Sequence, residues 1–370
     1  MENGRSVKYI IYAYNYPTLC KAIRYIDSEF GKKDAVLIYS SFVNKAPKEL
    51  VEEYRIIEVD GRQRDQQRGI RRLVIDYLTT RDICNAFKRV VKKWRNERFT
   101  LVVFKDNEAQ EATLIDLAYS FGGEIWEIEE GVGIYTLDKR KVTHKNIKKI
   151  VYPFFQISRY AITDNPQGLH PCVSRIISAN PNLLKEKYIN SSKILEKQIE
   201  IFTDDFSRKF VLTIMPEKRN DVYEYVFLTT PMEDLLYGET EKQLYIEFLK
   251  RFFSTVEKYG RVLVKPHPRD GFDYQSFETS RVKVCEKKEQ MIPFECLLGF
   301  YKGADIVSLL SSANASVKRG SKSIFVYPLL GIERIGADIR QSLLEEQNII
   351  KCNSYEELEV ILKTKNKIDR

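Results

Sequence analysis

Three histidines occur in the chain, His144, His170 and His267, and one of them stands where an imidazole could do chemistry. His267 follows the apolar run Arg261 to Lys265, lies between Pro266 and Pro268, and has Lys265 and Arg269 as charged neighbours. The prolines stiffen the backbone and the cations favour an anion beside the ring, so a phosphate is the expected guest. Ser311-Ser312 follows a second apolar run, Asp305 to Leu310, where a helix is expected to open. Hydroxyls and free backbone N–H groups at a helix N-terminus bind phosphate; plain N-capping is the alternative.

Glu129-Glu130-Gly131 follows the run Glu124 to Ile128. A carboxylate shielded from water at such a turn can serve as a general base, and an acidic turn without function is the competing reading. Glu295, in Ile292-Pro293-Phe294-Glu295, falls in a first helical turn. There it either complements the helix dipole or accepts hydrogen bonds from ribose hydroxyls. His144 and His170, in basic and proline-rich surroundings, read as structural.

What is missing narrows the chemistry. No Asp-x-Asp metal–nucleotide clamp occurs, nor a GxxxxGK[ST], a strand-borne GxGxxG or a GxSxG elbow. Kinase, dehydrogenase and hydrolase readings therefore lose their support. The six cysteines form no CxxC pair and read as buried free thiols rather than zinc ligands or disulfides.

The elements that must position these groups alternate. Strands are expected over Lys8 to Ala13, Ala35 to Tyr39, Arg55 to Val59, Thr100 to Phe104 and Glu124 to Ile128. Helices are expected from Leu19 to Phe30, Gln67 to Trp94 and Ala109 to Ser120. Between Val151 and Arg208 prolines punctuate the chain, which predicts irregular structure and a crossing into a second domain. Alternation resumes with strands at Tyr225 to Leu228, Arg261 to Lys265, Arg281 to Val284, Asp305 to Leu310 and Ser323 to Val326. Helices are expected at Glu241 to Tyr259, Pro293 to Tyr301, Ser311 to Arg319 and Tyr355 to Lys363. This pattern predicts α/β architecture with parallel sheets, whose ligands bind beyond the carboxyl ends of the strands. Every candidate residue above falls at such an end or in a first helical turn.

The 370 residues favour two domains, 1–205 and 206–370. With 60 Lys and Arg against 52 Asp and Glu the formal charge is +8, which suits an anionic small substrate or an anionic lipid face. No reading motif for nucleic acid is present. No apolar run approaches the ~18 residues of a membrane helix, and Met1 to Arg5 lacks a signal-peptide core, so the cytoplasm is the expected compartment.

In chain order, Glu129-Glu130-Gly131, His267-Pro268, Pro293-Phe294-Glu295 and Ser311-Ser312 resemble the bacterial sialyltransferases. Their shared motifs are an acidic pair before glycine, a His-Pro and a downstream Ser/Thr pair. Within that group the chain looks most like glycosyltransferase family 52, the lipooligosaccharide sialyltransferases, with the polysialyltransferase family close behind. Val226-Phe227-Leu228-Thr229-Thr230-Pro231 also resembles the first strand of that group's nucleotide-binding domain.

The resemblance implies a GT-B fold, two Rossmann-like doubly wound domains facing across a central cleft. It implies CMP-sialic acid as donor substrate, inversion at the anomeric carbon, and neither metal nor cofactor. By the same resemblance Glu129 is the base, with Glu130 the fallback. His267 handles the departing phosphate with Lys265, Pro268 and Arg269 around it. Ser311 and Ser312 bind that phosphate and Glu295 holds the ribose. The implied partners are a CMP-sugar donor and a glycan or glycolipid acceptor, with peripheral contact at an anionic inner membrane face and a homodimer both compatible. Rival readings are a transferase for another CMP-activated acidic sugar such as Kdo, pseudaminic or legionaminic acid, a CDP-polyol phosphotransferase, and a non-catalytic nucleotide-binding assembly protein.

Overall fold

The computed structural model describes residues 8–41, 45–61, 70–94, 97–135, 145–185, 187–188, 191–218, 222–311, 313–314, 317, 321–333, 335 and 349–365. The chain divides into two compact units, 1–203 and 204–370.

The first unit is built on a seven-stranded parallel sheet. Its strands are β1 (Lys8–Ala13), β2 (Ala35–Ser41), β3 (Ile56–Asp60), β4 (Phe99–Val103), β5 (Glu124–Ile128), β6 (Arg175–Ser178) and β7 (Ile194–Lys197), in the order β3-β2-β1-β4-β5-β6-β7. Central strands of a parallel sheet are covered on both faces and so read as unbroken aliphatic runs. Phe99-Thr100-Leu101-Val102-Val103 is such a run, with every residue buried. Helices α1 (Tyr16–Tyr25), α2 (Lys48–Tyr54), α3 (Ile70–Lys93), α4 (Ala109–Ser120) and α5 (Lys145–Phe154) connect or cover the strands.

Local chemistry sets the ends of α1. Asn15 caps it, accepting from Thr18 N at 2.8 Å while the Thr18 hydroxyl accepts from Asn15 N at 3.2 Å. This reciprocal cap satisfies donors that a helix start otherwise leaves free. After Tyr25 the turn widens through Ile26–Phe30 and stops at Gly31, whose φ of 77° suits a residue without Cβ.

One expectation fails here. The stretch from Val151 to Arg208, read as irregular, carries the end of α5 and then β6 and β7, which extend the first sheet. Each of those strands has only four residues, too few for a legible period, and Pro153, which lacks the N–H for an i→i−4 bond, sits where α5 ends. An ion pair between Arg175 and Glu196 joins β6 to the edge strand β7.

The second unit opens with α6 (Asp204–Ile214). Its sheet holds β8 (Tyr225–Leu228), β9 (Val262–Lys265), β10 (Val282–Val284), β11 (Asp305–Ser308), β12 (Ser323–Phe325) and β13 (Ile349–Lys351), all parallel in the order β10-β9-β8-β11-β12-β13. Counted from β8 this is 3-2-1-4-5-6, the doubly wound dinucleotide-binding order, with its reversal point between β8 and β11. Helices α7 (Met232–Leu235), α8 (Gly238–Val256), α9 (Lys287–Met291) and α10 (Phe294–Leu297) lie between strands, and a last helix spans Tyr355–Lys365.

The core of this unit is aromatic. Tyr245, Phe248, Phe252 and Phe253 of α8 pack on Phe227, with Phe227 and Phe252 centroids 4.8 Å apart. Losing one such ring to alanine costs about 3–5 kcal/mol, a large share of a domain's net stability. Among the described residues no helix is long and apolar enough to cross a membrane.

Candidate functional site

In the first unit the acidic pair stands where four neighbouring strands end. Glu129 follows β5, and its Oε2 accepts from Ala179 N, just past β6, at 2.7 Å and from the Tyr135 hydroxyl. Tyr135 is itself fixed by Asn180 N at 3.0 Å; burial, then the adjacent carboxylate, pushes its pKa up, so it stays a donor. Glu129 is 9% exposed, so only a small part of it meets solvent.

Glu130 has different company. Lys105, beyond β4, pairs with its Oε2 at 2.9 Å, and Asn15, beyond β1, donates to Oε1 at 3.2 Å. Burial pulls Lys105 down, yet the Glu130 carboxylate, with Glu111 and Glu108 adding to it, more than offsets this and leaves its pKa raised. The turn's backbone is clamped as well. The buried Lys21 ammonium of α1 donates to the carbonyls of Glu129 at 2.6 Å and Glu130 at 3.0 Å. Glu130 is thus a neutralised anchor, whereas among the described residues the hydrogen bonds to Glu129 Oε2 come from neutral donors.

The second unit holds its candidate residues at the carboxyl ends of β8, β9 and β11. Leu228 of β8 pairs with Lys265 on one side and Ser308 on the other. The ends of β9 and β11 therefore flank β8 at about 4.8 Å each. Thr229 joins β8 to the His-Pro turn, accepting from His267 N at 2.9 Å and donating to Asp270 Oδ2 at 2.6 Å. Thr230 reaches the opposite way, to the Leu310 carbonyl at 3.0 Å.

Asp270 also accepts from the Tyr274 hydroxyl at 2.8 Å, and Tyr274 and Tyr245 hydroxyls lie 2.7 Å apart. A chain of hydrogen bonds thus runs from the aromatic core to the backbone of His267. Arg269 N donates to His267 Nδ1 at 3.2 Å. A neutral imidazole has one N–H, so this bond leaves the proton on Nε2, a donor suited to a phosphate oxygen.

Lys265 is buried and directs its ammonium to the Gln290 carbonyl at 2.9 Å, while Gln290 Nε2 donates to the His267 carbonyl at 3.0 Å. Burial lowers the Lys265 pKa, with nearby Cys285, Glu295 and Glu289 opposing the shift. Its contact is thus with the loop that carries His267. Gln290 is braced in turn, since Glu289 pairs with the nearly buried Lys218 at 3.1 Å. Pro268 is half-buried and Arg269 exposed beside the ring. Glu295 is half-buried in the first turn of α10. Ser311 Oγ accepts from Ala313 N at 3.3 Å and its carbonyl from Asn314 N at 3.1 Å, a tight turn. Ser312 lies outside the described residues, as does His144.

Sequence reasoning passed over Asn15, Lys21, Lys105, Tyr135, Asp270 and Gln290, and gave Thr229 no role beyond its place in a strand resemblance. Lys105, Thr229 and Thr230 are polar residues directly after buried strand ends, a signal that was readable. The others meet the site only through the fold. None of the candidate residues belongs to a metal-ligating cluster among the described residues.

Both units thus carry polar groups at the carboxyl ends of parallel strands, where doubly wound sheets bind their ligands. The chain is similar to the Photobacterium sp. JT-ISH-224 2,6-sialyltransferase, solved with CMP and lactose, at 12% identity and a TM-score of 0.54, covering 93% of this chain and 78% of that one. It is similar to the GT-B domain of the Photobacterium damselae sialyltransferase at 11% identity and a TM-score of 0.51, covering 92% and 99%. It is also similar to the wall teichoic acid polymerase TagF at 11% identity and a TM-score of 0.52, covering 100% and 83%. These likenesses establish the GT-B glycosyltransferase fold. No curated protein matches the sequence. The model of the alpha-2,8-polysialyltransferase family matches residues 10–314, so the chain belongs to that family and is a CMP-sialic acid glycosyltransferase.

Proposed function

We propose that the chain extends a glycan acceptor by inverting transfer of sialic acid from CMP-sialic acid, with Glu129 as base and His267 at the leaving phosphate. The acceptor is a capsular or similar sialylated chain rather than a lipooligosaccharide galactoside; the family match supports this choice. The first unit serves the acceptor and the second the donor.

In one displacement the acceptor hydroxyl gives its proton to the Glu129 carboxylate while its oxygen bonds to the anomeric carbon. The bond from that carbon to the CMP phosphate breaks, through an oxocarbenium-like state. Negative charge gathers on the phosphate, where the pinned His267 supplies a preorganised Nε2–H donor and the Ser311 and Ser312 hydroxyls add further ones. Glu295 accepts from the ribose, and Lys265 and Gln290 hold the His267 loop in place.

The observation that carries this reading is the pinning of His267. Its backbone N, its carbonyl and its Nδ1 are all engaged, which fixes the ring at the carboxyl end of β9 with its proton on Nε2. The test combines ligand-induced melting shifts with product analysis. CMP raises the melting temperature more than UDP or ADP, and mass spectrometry of a CMP-sugar panel on oligosialic acceptors finds sialic acid added. Equal stabilisation by UDP removes the donor assignment. Transfer confined to Kdo, pseudaminic or legionaminic acid replaces the sugar.

A further inference from the structure

His170 was read from the sequence as structural and Cys172 as a free thiol, yet the fold brings a third group to them. Asp116 stands on α4, while His170-Pro171-Cys172 lies in the segment leading into β6. One carboxylate oxygen, one imidazole nitrogen and the thiol sulfur all lie within 4.8 Å of one another. We propose that Asp116, His170 and Cys172 form a zinc site that ties α4 to the segment before β6.

Three observations support it. His170 is 1% exposed, and its Nε2 has no aligned hydrogen-bond partner although Asp116 Oδ1 is 3.3 Å away. A buried ring N–H that meets its carboxylate neighbour off-line is poorly satisfied, and a metal ion between the two groups would engage both. The frame is also set before any metal arrives. Asp106 Oδ2 accepts from His170 N at 2.7 Å, and Lys193 donates to the His170 and Val173 carbonyls at 2.6 Å each. Finally, the donor set mixes thiolate, imidazole and carboxylate, a combination that suits zinc better than the hard cations magnesium or calcium. Asp116 is 49% exposed, so the cluster is open to solvent on that side.

The protons balance. Zinc takes the thiolate as ligand, so the Cys172 thiol gives up its proton when the metal binds. The imidazole stays neutral with its proton moved from Nε2 to Nδ1. That move gives up the contact of Nδ1 with Cys172 N, which at 3.3 Å is among the longer bonds of this segment. The role is structural. β6 ends beside Ala179, whose N–H holds Glu129, so the staple steadies a strand that the site uses without entering the transfer itself.

The test uses the full-length chain stripped with a chelator and refilled with zinc or cobalt. One zinc per chain is expected by elemental analysis after desalting, with a thiolate charge-transfer band from cobalt. Zinc should also shield the Cys172 thiol of the unaltered chain from iodoacetamide, as read by peptide mass spectrometry. Cys172→Ala and Asp116→Asn, with far-UV circular dichroism confirming the fold, should weaken binding by at least about 10–100-fold, the loss that even an outer-shell partner causes. Substoichiometric zinc, unprotected Cys172, or undiminished binding by the folded variants overturns the site and leaves an ordinary histidine–aspartate pair.

Discussion

Replacing each member of the acidic pair by its amide separates base from anchor, because the two carboxylates have different partners. In Glu129→Gln the amide oxygen still accepts from Ala179 N and Tyr135, so stability should change by less than about 1 kcal/mol. Loss of a general base should lower turnover by about 10²–10⁴-fold while CMP binding persists. In Glu130→Gln the amide keeps the Asn15 bond but abandons Lys105, a pair whose side chains are only 20% and 32% exposed. A pair so placed lies between the surface and buried limits, which gives a cost of about 1–3 kcal/mol. For a unit of this size that is a fall in melting temperature of about 2–10 °C, with turnover per folded molecule largely kept.

The pH dependence supplies a second readout. The folded pKa of Lys105 is raised, so its contribution is fully present below the unfolded lysine value and is lost as pH rises through the folded one. The stability gap between wild type and Glu130→Gln should hold from neutral pH and close above about 10.4. The assays are thermal melts across pH and initial transfer rates with an oligosialic acceptor. Normal turnover by Glu129→Gln together with a dead but fully stable Glu130→Gln would refute the reasoning, since it would make the ion-paired residue the base.

Two further perturbations address the His267 loop. Thr229→Val keeps the side-chain shape but deletes an acceptor for His267 N and a donor to Asp270, a loss of about 2–4 kcal/mol in hydrogen bonds. Turnover should fall more than acceptor KM changes, and Thr229→Ser should restore it; wild-type kcat in the valine variant would show that the loop needs no such brace. Lys265→Met should flatten the rise in stability with pH. Burial lowers the folded pKa of Lys265, so wild type gains stability as pH climbs toward the unfolded lysine value of about 10.4, and the methionine chain does not. Parallel melting curves for the two proteins from pH 8 to 10 would contradict that burial.

The strands that could be read from the sequence are those covered on both faces. Tyr225-Val226-Phe227-Leu228 has the bounds expected of it, because continuous apolar runs are what central parallel strands require. β7, Ile194-Leu195-Glu196-Lys197, is a half-exposed edge of four residues, and β13 has three, so neither offered a period to read. α2 is a single short amphipathic stretch ended by Arg55 in the left-handed region, without a glycine to announce the stop. The acidic pair and the His-Pro were legible because each is a chemical group beside a turn residue. Their partners were not, since Lys21 and Glu130 are 109 residues apart and Thr229 and His267 are 38 apart.

That difference bears on how such a site is recognised. In both units a strand end supplies the reactive side chain, and the neighbouring strand ends supply the groups that hold it. Ala179 N beyond β6 and Lys105 beyond β4 do this for the acidic turn; Thr229 beyond β8 does it for His267. The motif alone fixes the element types present but not their charge state. Among the described residues the two adjacent glutamates differ because the segments after β1 and β4 deliver Asn15 and Lys105 to the second. A chain that kept Glu129-Glu130-Gly131 but lost Lys105 would have two unneutralised carboxylates side by side. Like charges that close disfavour each other's ionisation, so the division of labour between base and anchor would collapse even though the motif was intact.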